Sequence, residues 1–195
     1  NLVISEFTLY DCKVISINEL ISYIEQSDMM SKFFDSLNIN KDYFDITDHY
    51  YNPNIYPYEE YIKRKNEVIG YLNKMSINFI DCDYESEIYE KTVCGYENEI
   101  EGGLRCNKCI RLRLEKTSQE AKKNNFDYFT TTLTISPLKN AEKINEIGNE
   151  LAEEYIVEIG LDKDDQIIGY KYVNLGKMME NIKKGIEPME AIELA

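Results

Sequence analysis

An alternation of segments constrains this chain more than any other feature. FDYFTTTLTI (Phe126–Ile135), dense in threonine and aromatics, reads as the strongest strand, and it stands between two helical patterns. The pattern before it runs from Lys108 to Asn124. The one after it opens at Ser136-Pro137, where serine can cap and proline suits the first helical position, and continues through NAEKINEIGNELAEEY. The rhythm recurs upstream. YFDITDHYY (Tyr43–Tyr51) reads as a strand, and YEEYIKRKNEVIGYLNKM as a helix with Tyr61, Val68, Ile69 and Leu72 on its apolar stripe. INFIDCD then reads as a short strand and SEIYEKTV as a short helix. YIVEIG is expected to form a further strand, and KMMENIKKGI with EPMEAIELA a helical tail. Near the start, NELISYIEQ and MMSKFFDSL carry helical spacing.

Strands alternating with helices of about 15 residues argue for βα units. The expected fold class is therefore α/β, a doubly wound, mainly parallel sheet with flanking helices. Ligands of such sheets bind beyond the carboxyl ends of the strands. NPNIYP follows one strand and ISPLKN another, so both loops should open on the same edge.

At 195 residues and 43% apolar, the chain can bury a sizeable core. No run of about 18 apolar residues is present, so no membrane helix is expected. The start lacks a basic n-region and a small-residue cleavage site, and the five cysteines are neither even in number nor densely spaced. Both features point to a reducing, cytoplasmic setting.

Net charge is −14, which opposes polyanion binding, but the charge is unevenly spread. Between Leu104 and Lys123 there are seven cations (Arg105, Lys108, Arg111, Arg113, Lys116, Lys122, Lys123) against two acids. That segment carries +5 and leaves −19 for the rest of the chain. Inside it lie Cys106 and Cys109, a C-x2-C pair. This spacing suits one metal, one iron–sulfur cluster or a redox dithiol whose thiolates gain from neighbouring cations. Two unrelated thiols at a helix start would look the same. Cys82 and Cys94 could complete a structural zinc site. Arg105, Arg111 and Arg113 could grip phosphates bidentately, or form a solvated face paired to acids. Asn52, Asn54 and Tyr56 offer amide and phenol groups that could read a base or a ribose, or simply build an Asn/Pro turn. Thr130, Thr131, Thr132 and Thr134 alternate along the expected strand. His49, the only histidine, is expected to pack rather than to act chemically.

YFDITDHYYNPNIYPYEEYIKR, FIDCDYE and EGGLRCNKCIRLRLEKTSQEAKKNNFDYFTTTLTISPLKNAEKINEIG, in that order, resemble the cobalamin-independent epoxyqueuosine reductases of the QueH type. The resemblance covers about Tyr43 to Lys171, so it divides the chain into a diverged segment (1–42), a QueH-like domain (43–171) and a helical tail (172–195). It implies a fold like that of the nucleotide α-hydrolase relatives of the Rossmann class. It implies reduction of the epoxide of epoxyqueuosine at the wobble position of a tRNA anticodon loop, with an external electron donor. The implied cofactor is an iron–sulfur cluster (4Fe-4S) with associated iron. Cys106 and Cys109 match the family's cluster pair. Asn52, Pro53, Asn54, Tyr56 and Pro57 match its substrate-side loop, and Asp83-Tyr84 its strand-end pair. Arg105, Arg111 and Arg113 match its basic positions, and Thr132 and Ser136 fall in its Thr/Ser segment. Asp83 would ligate iron or protonate the leaving oxygen. The family's adjacent Cys-Cys pair and terminal Cys-Gly-Cys segment have no counterpart, and its usual histidine before Lys-Asn is Leu138. With two matching cysteines, the expectation is a chain weakly active or inactive alone. The alternatives are a non-catalytic tRNA-binding module, a zinc-stabilised domain and a thiol redox protein.

Overall fold

The computed structural model describes residues 2–5, 45–135, 139–159 and 171–195. The helices expected at NELISYIEQ and MMSKFFDSL lie outside those residues, as do Cys12, Ser136 and Leu138. Five strands form one wholly parallel sheet: β1 (Leu2–Ser5), β2 (Ile46–Tyr50), β3 (Asn78–Asp81), β4 (Tyr128–Thr131) and β5 (Lys171–Tyr172). Their order is β3-β2-β1-β4-β5, so β1 is the central strand and the winding reverses beside it. Leu2 pairs with Ile46 on one side and Tyr128 on the other.

Six α-helices are described: α1 (Tyr58–Met75), α2 (Ser86–Val93), α3 (Leu104–Lys123), α4 (Ala141–Ile159), α5 (Leu175–Lys183) and α6 (Pro188–Glu193). Side chains alternate across a strand, so each face of the sheet collects its own core. On one face Phe129 and Tyr172 pack with Leu114 and Ala121 of α3 and with Ile144, Ile147 and Leu151 of α4. On the other, Ile46 and Tyr50 meet Tyr61, Val68 and Leu72 of α1. Tyr128 joins that second face to the α5–α6 core of Leu175, Met178, Met179 and Ile192. The α4–β5 contact is close: a Cβ on Gly148 would stand 2.4 Å from the Tyr172 ring.

α1 spans the residues that its apolar stripe predicts, and three of the four stripe residues are buried. Three expectations are corrected. FDYFTTTLTI is a strand only over Tyr128–Thr131, after which Thr132–Ile135 form a 3₁₀ turn. Thr132 and Thr134 therefore do not alternate on a strand. Local bonds end the ladder: Leu133 N–H donates to Thr131 Oγ1 (3.3 Å), and Thr134 Oγ1 donates to the Thr131 carbonyl (3.1 Å). YIVEIG is not a strand, because α4 continues through Ile159. The helix expected from Lys108 begins at Leu104, with Gly103 as its N-cap, so the cysteine pair lies inside it.

Candidate functional site

The sheet is parallel, so the segments that follow β2, β3 and β4 leave it at one edge. The Asn52–Pro57 loop follows β2. Cys82-Asp83-Tyr84 follows β3, and the 3₁₀ turn with Thr132 follows β4. α3, packed on one face of the sheet, reaches this edge through Arg113 and Lys116 and ties the segments after β2 and β3 together.

Arg113 is the main tie. It is 3% exposed; its Nε donates to the Tyr51 carbonyl (3.2 Å) and its Nη2 to Asn52 Oδ1. A guanidinium held by a backbone carbonyl and a buried amide is engaged in holding the loop rather than presented to solvent. Asn52 is itself 1% exposed. Of the loop residues singled out in the sequence, Tyr56 (85% exposed) and Pro57 are open, and Asn54 is half-buried.

One turn further along α3, Thr117 Oγ1 donates to the Arg113 carbonyl at 3.0 Å. A hydroxyl has one proton. Thr117 therefore accepts from His49 Nδ1 at 2.9 Å, which places the ring proton on Nδ1. Nε2 then presents a lone pair to the Cys82 thiol, 3.0 Å away. Burial keeps both partners neutral: it pushes His49 down to about 4 and, with Glu120 adding to it, the Cys82 thiol up to about 12. His49 is thus a packed, fully bonded histidine, as expected. Its bond to Cys82 was not expected. The available signal was positional: both residues fall at the carboxyl ends of consecutive strands.

A second unexpected group lies beside it. Lys116 Nζ donates to Glu85 Oε2 (2.9 Å) and stands 5.3 Å from the centre of the Tyr51 ring, which stacks on His49. Burial opposes the Glu85 charge, but Lys116 and Tyr51 outweigh it and lower the carboxyl.

Cys106 and Cys109 sit three apart, on one side of the first turns of α3. Both are half-buried, and Gly102 N–H donates to Cys106 Sγ at 3.2 Å. Arg105 Nη2 reaches the Tyr89 hydroxyl (3.3 Å), and Lys108 Nζ lies 4.9 Å from the centre of the Tyr96 ring. Arg111 pairs with Glu150 of α4 at 2.6 Å. Lys123 pairs with Glu120. Three of the seven cations of this helix are therefore paired to glutamates, and a fourth, Arg113, is internal. Asp83 is exposed at the end of β3, and Thr132 is half-buried.

Among the described residues, no three His, Cys, Asp or Glu side chains gather where they could hold a metal ion. Cys82 faces His49 rather than the α3 pair, so the four cysteines do not assemble a zinc site. Nor is any described helix long and apolar enough to cross a membrane.

The family model described as "Epoxyqueuosine reductase QueH" matches residues 30–166. Curated proteins of that name are similar to the chain. The one from Acinetobacter baylyi is 43% identical over 106 residues, covering 54% of this chain and 49% of that protein. The one from Thermotoga maritima is 41% identical over 112 residues, covering 56% and 58%. The one from Helicobacter pylori is 33% identical over 122 residues, covering 63% and 33%. The matched region thus spans about half the length of the first two relatives, and less of the third.

Proposed function

This chain belongs to the QueH family of epoxyqueuosine reductases, and from that premise we propose that it is an epoxyqueuosine reductase-like protein of the cytoplasm. Its substrate is the anticodon loop of tRNA, and the reaction is reduction of the wobble epoxyqueuosine to queuosine with electrons from an external donor. One observation carries the reading: the Asn52–Pro57 loop, Asp83-Tyr84 and the Cys106–Cys109 helix meet at one edge of a parallel sheet, with Arg113 binding loop to helix. The fold is that of the nucleotide α-hydrolase-like group, with 43–171 its QueH-like part and 172–195 mostly a helical tail; the sheet also takes in Leu2–Ser5 as its central strand and Tyr172 of β5.

Cys106 and Cys109 would hold the iron–sulfur centre (4Fe-4S, with associated iron) that the family implies, and that group would supply the electrons. A cysteine-held cluster takes about four thiolates. The described residues bring two together, so they do not fit the group unaided. This favours a chain weakly active or inactive alone, its ligand set completed from elsewhere. Asp83, exposed at the carboxyl edge, is the proposed proton donor or iron ligand. Asn54, Tyr56 and Arg105 line the substrate side together with Thr132 and Arg111, while Asn52 and Arg113 hold the loop in place; Ser136, outside the described residues, is assigned to substrate binding on the family resemblance alone.

The incomplete donor set also favours a second reading, a non-catalytic tRNA-binding module. Anaerobic reconstitution with iron and sulfide separates the two. Iron and sulfide near about four per chain, lost in Cys106→Ser, support the reductase. No bound iron, with tRNA binding retained, makes the module the correct reading. Zinc in the same sample, or a reversible Cys106–Cys109 disulfide, would displace both.

A further inference from the structure

Four tyrosines form a column from the core to the open edge of β2 and β3. Tyr50 is fully buried, and its ring lies 5.6 Å from Tyr61 of α1. Tyr61 in turn contacts Tyr84 (4.6 Å) and Tyr58 (6.0 Å), and the last two are 5.2 Å apart. Tyr58 is 51% exposed. The Tyr84 hydroxyl donates to the Ile55 carbonyl at 2.5 Å and fixes the loop beneath Tyr56. Ile55 is plugged into the core, and the Pro57 carbonyl already accepts from Glu60 and Tyr61 of α1. Tyr56, between two anchored residues, is held outward.

An exposed ring on an anchored loop, two residues before a second half-exposed ring, has lost much of its backbone entropy before any ligand arrives. Among the described residues, α3 offers this edge little charge for a polyanion. Arg113 is buried, and Arg111, Lys116 and Lys123 are paired to Glu150, Glu85 and Glu120. Arg105 and Lys108 remain exposed or half-exposed, each resting on a tyrosine. A protein of net charge −14 with this arrangement must hold nucleic acid mainly by aromatic faces.

We propose that Tyr56 and Tyr58, braced by Tyr84, form a stacking platform for unpaired bases of the RNA substrate, and that this platform supplies most of the binding. The inference rests on the tRNA reading above and does not require an iron centre. The occupant is single-stranded RNA, since a duplex hides its base faces. Lys122 lies in the last turn of α3, far along the helix from Arg105 and Lys108 in its first turns. Two phosphate contacts, from Arg105 and Lys108, predict a shallow salt dependence, with a log–log slope of about −1.4 at roughly 0.7 per phosphate. All seven cations acting together would give about −5.

The chain contains no tryptophan, so Tyr56→Trp installs a single reporter. It is titrated with a short RNA stem–loop, with a blunt RNA duplex of equal charge, and with heparin. The expected result is saturable quenching by the stem–loop alone and, from the anisotropy of a dye-labelled stem–loop titrated with wild type and with Tyr56→Ala, weakening of its Kd by roughly 5- to 150-fold in the variant. Tyr56 is so exposed that this variant should fold. Equal quenching by duplex or heparin, a salt slope near −5, or unchanged affinity in Tyr56→Ala would each overturn the platform while leaving RNA binding intact. If wild-type protein binds no RNA at all, the tRNA reading fails with it.

Discussion

Asp48 offers the sharpest test of the packing. It lies on β2 between Ile46 and Tyr50, and strand alternation turns all three toward α1. The side chain is fully buried, and neither carboxylate oxygen has a hydrogen-bond partner among the described residues. Burial alone pushes the carboxyl up from 3.8 to about 8. Its neighbour His49 moves the other way, from 6.5 to about 4. Between pH 4 and 6.5 the folded state holds the Asp48 proton that the unfolded chain releases, so stability falls as pH rises. Over the same range the unfolded chain holds the His49 proton that the folded state rejects, so stability rises. One proton each way is about 1.4 kcal/mol per pH unit, and the two slopes cancel. Above pH 6.5 the histidine contribution ends and Asp48 acts alone until its folded pKa is passed. Wild-type protein should therefore lose about 2 kcal/mol between pH 6.5 and 8 through this one group. Asp48→Asn removes the ionisation while keeping the shape. Its stability, from urea unfolding at pH 4, 5, 6.5 and 8, should rise to pH 6.5 and then lack that fall. The wild-type-minus-variant difference cancels the surface carboxylates common to both proteins. Parallel profiles for the two would refute a neutral Asp48 in the native core.

Other consequences follow from the same contacts. Gly148→Ala should destabilise by about 1–3 kcal/mol, because its Cβ would stand 2.4 Å from a buried aromatic ring; an unchanged Tm would show that α4 does not press on Tyr172. Arg113→Lys keeps the charge but cannot make both the Tyr51 and Asn52 bonds, so a loss of about 1.5–3 kcal/mol and faster proteolysis within residues 51–57 are expected. Resistance equal to wild type would mean that the loop is held by something else. Cys82, neutral and bonded to His49, should alkylate with iodoacetamide at pH 8 far more slowly than exposed Cys94. Peptide mapping that finds the two equally fast would contradict the buried pair.

Sequence pattern located α1 and β2 because propensity and burial agreed there. The apolar stripe of α1 is the face that meets Tyr50, and all five β2 residues are buried. Pattern failed where local chemistry and tertiary packing disagreed. The threonine run has strand propensity throughout, yet hydroxyl-to-backbone bonds at Thr131 and Thr134 turn the chain after four strand residues. YIVEIG looks like a strand in isolation. Its residues Tyr155–Ile159 are the last turns of a helix whose inward face is set earlier, at Ile144, Ile147 and Leu151.

The site was legible as positions but not as directions. Alternation alone placed the NPNIYP and ISPLKN loops at one edge; the first does follow β2 there, and residues 136–138 of the second lie outside the described residues, while Asp83 was placed at a strand end by the family resemblance and does follow β3. The sequence treated the arginines as one face. Spacing held a finer clue: Ile110, Leu114, Thr117 and Ala121 mark the inward stripe of α3, and Arg113 falls within it, next to Leu114. A guanidinium in an apolar stripe has to find partners inside, and it finds the Tyr51 carbonyl and Asn52. Charge counted along the sequence therefore overstates what a polyanion can reach. One cation of the seven is internal and three are paired to glutamates, so an aromatic contact is the stronger basis for holding RNA at this edge.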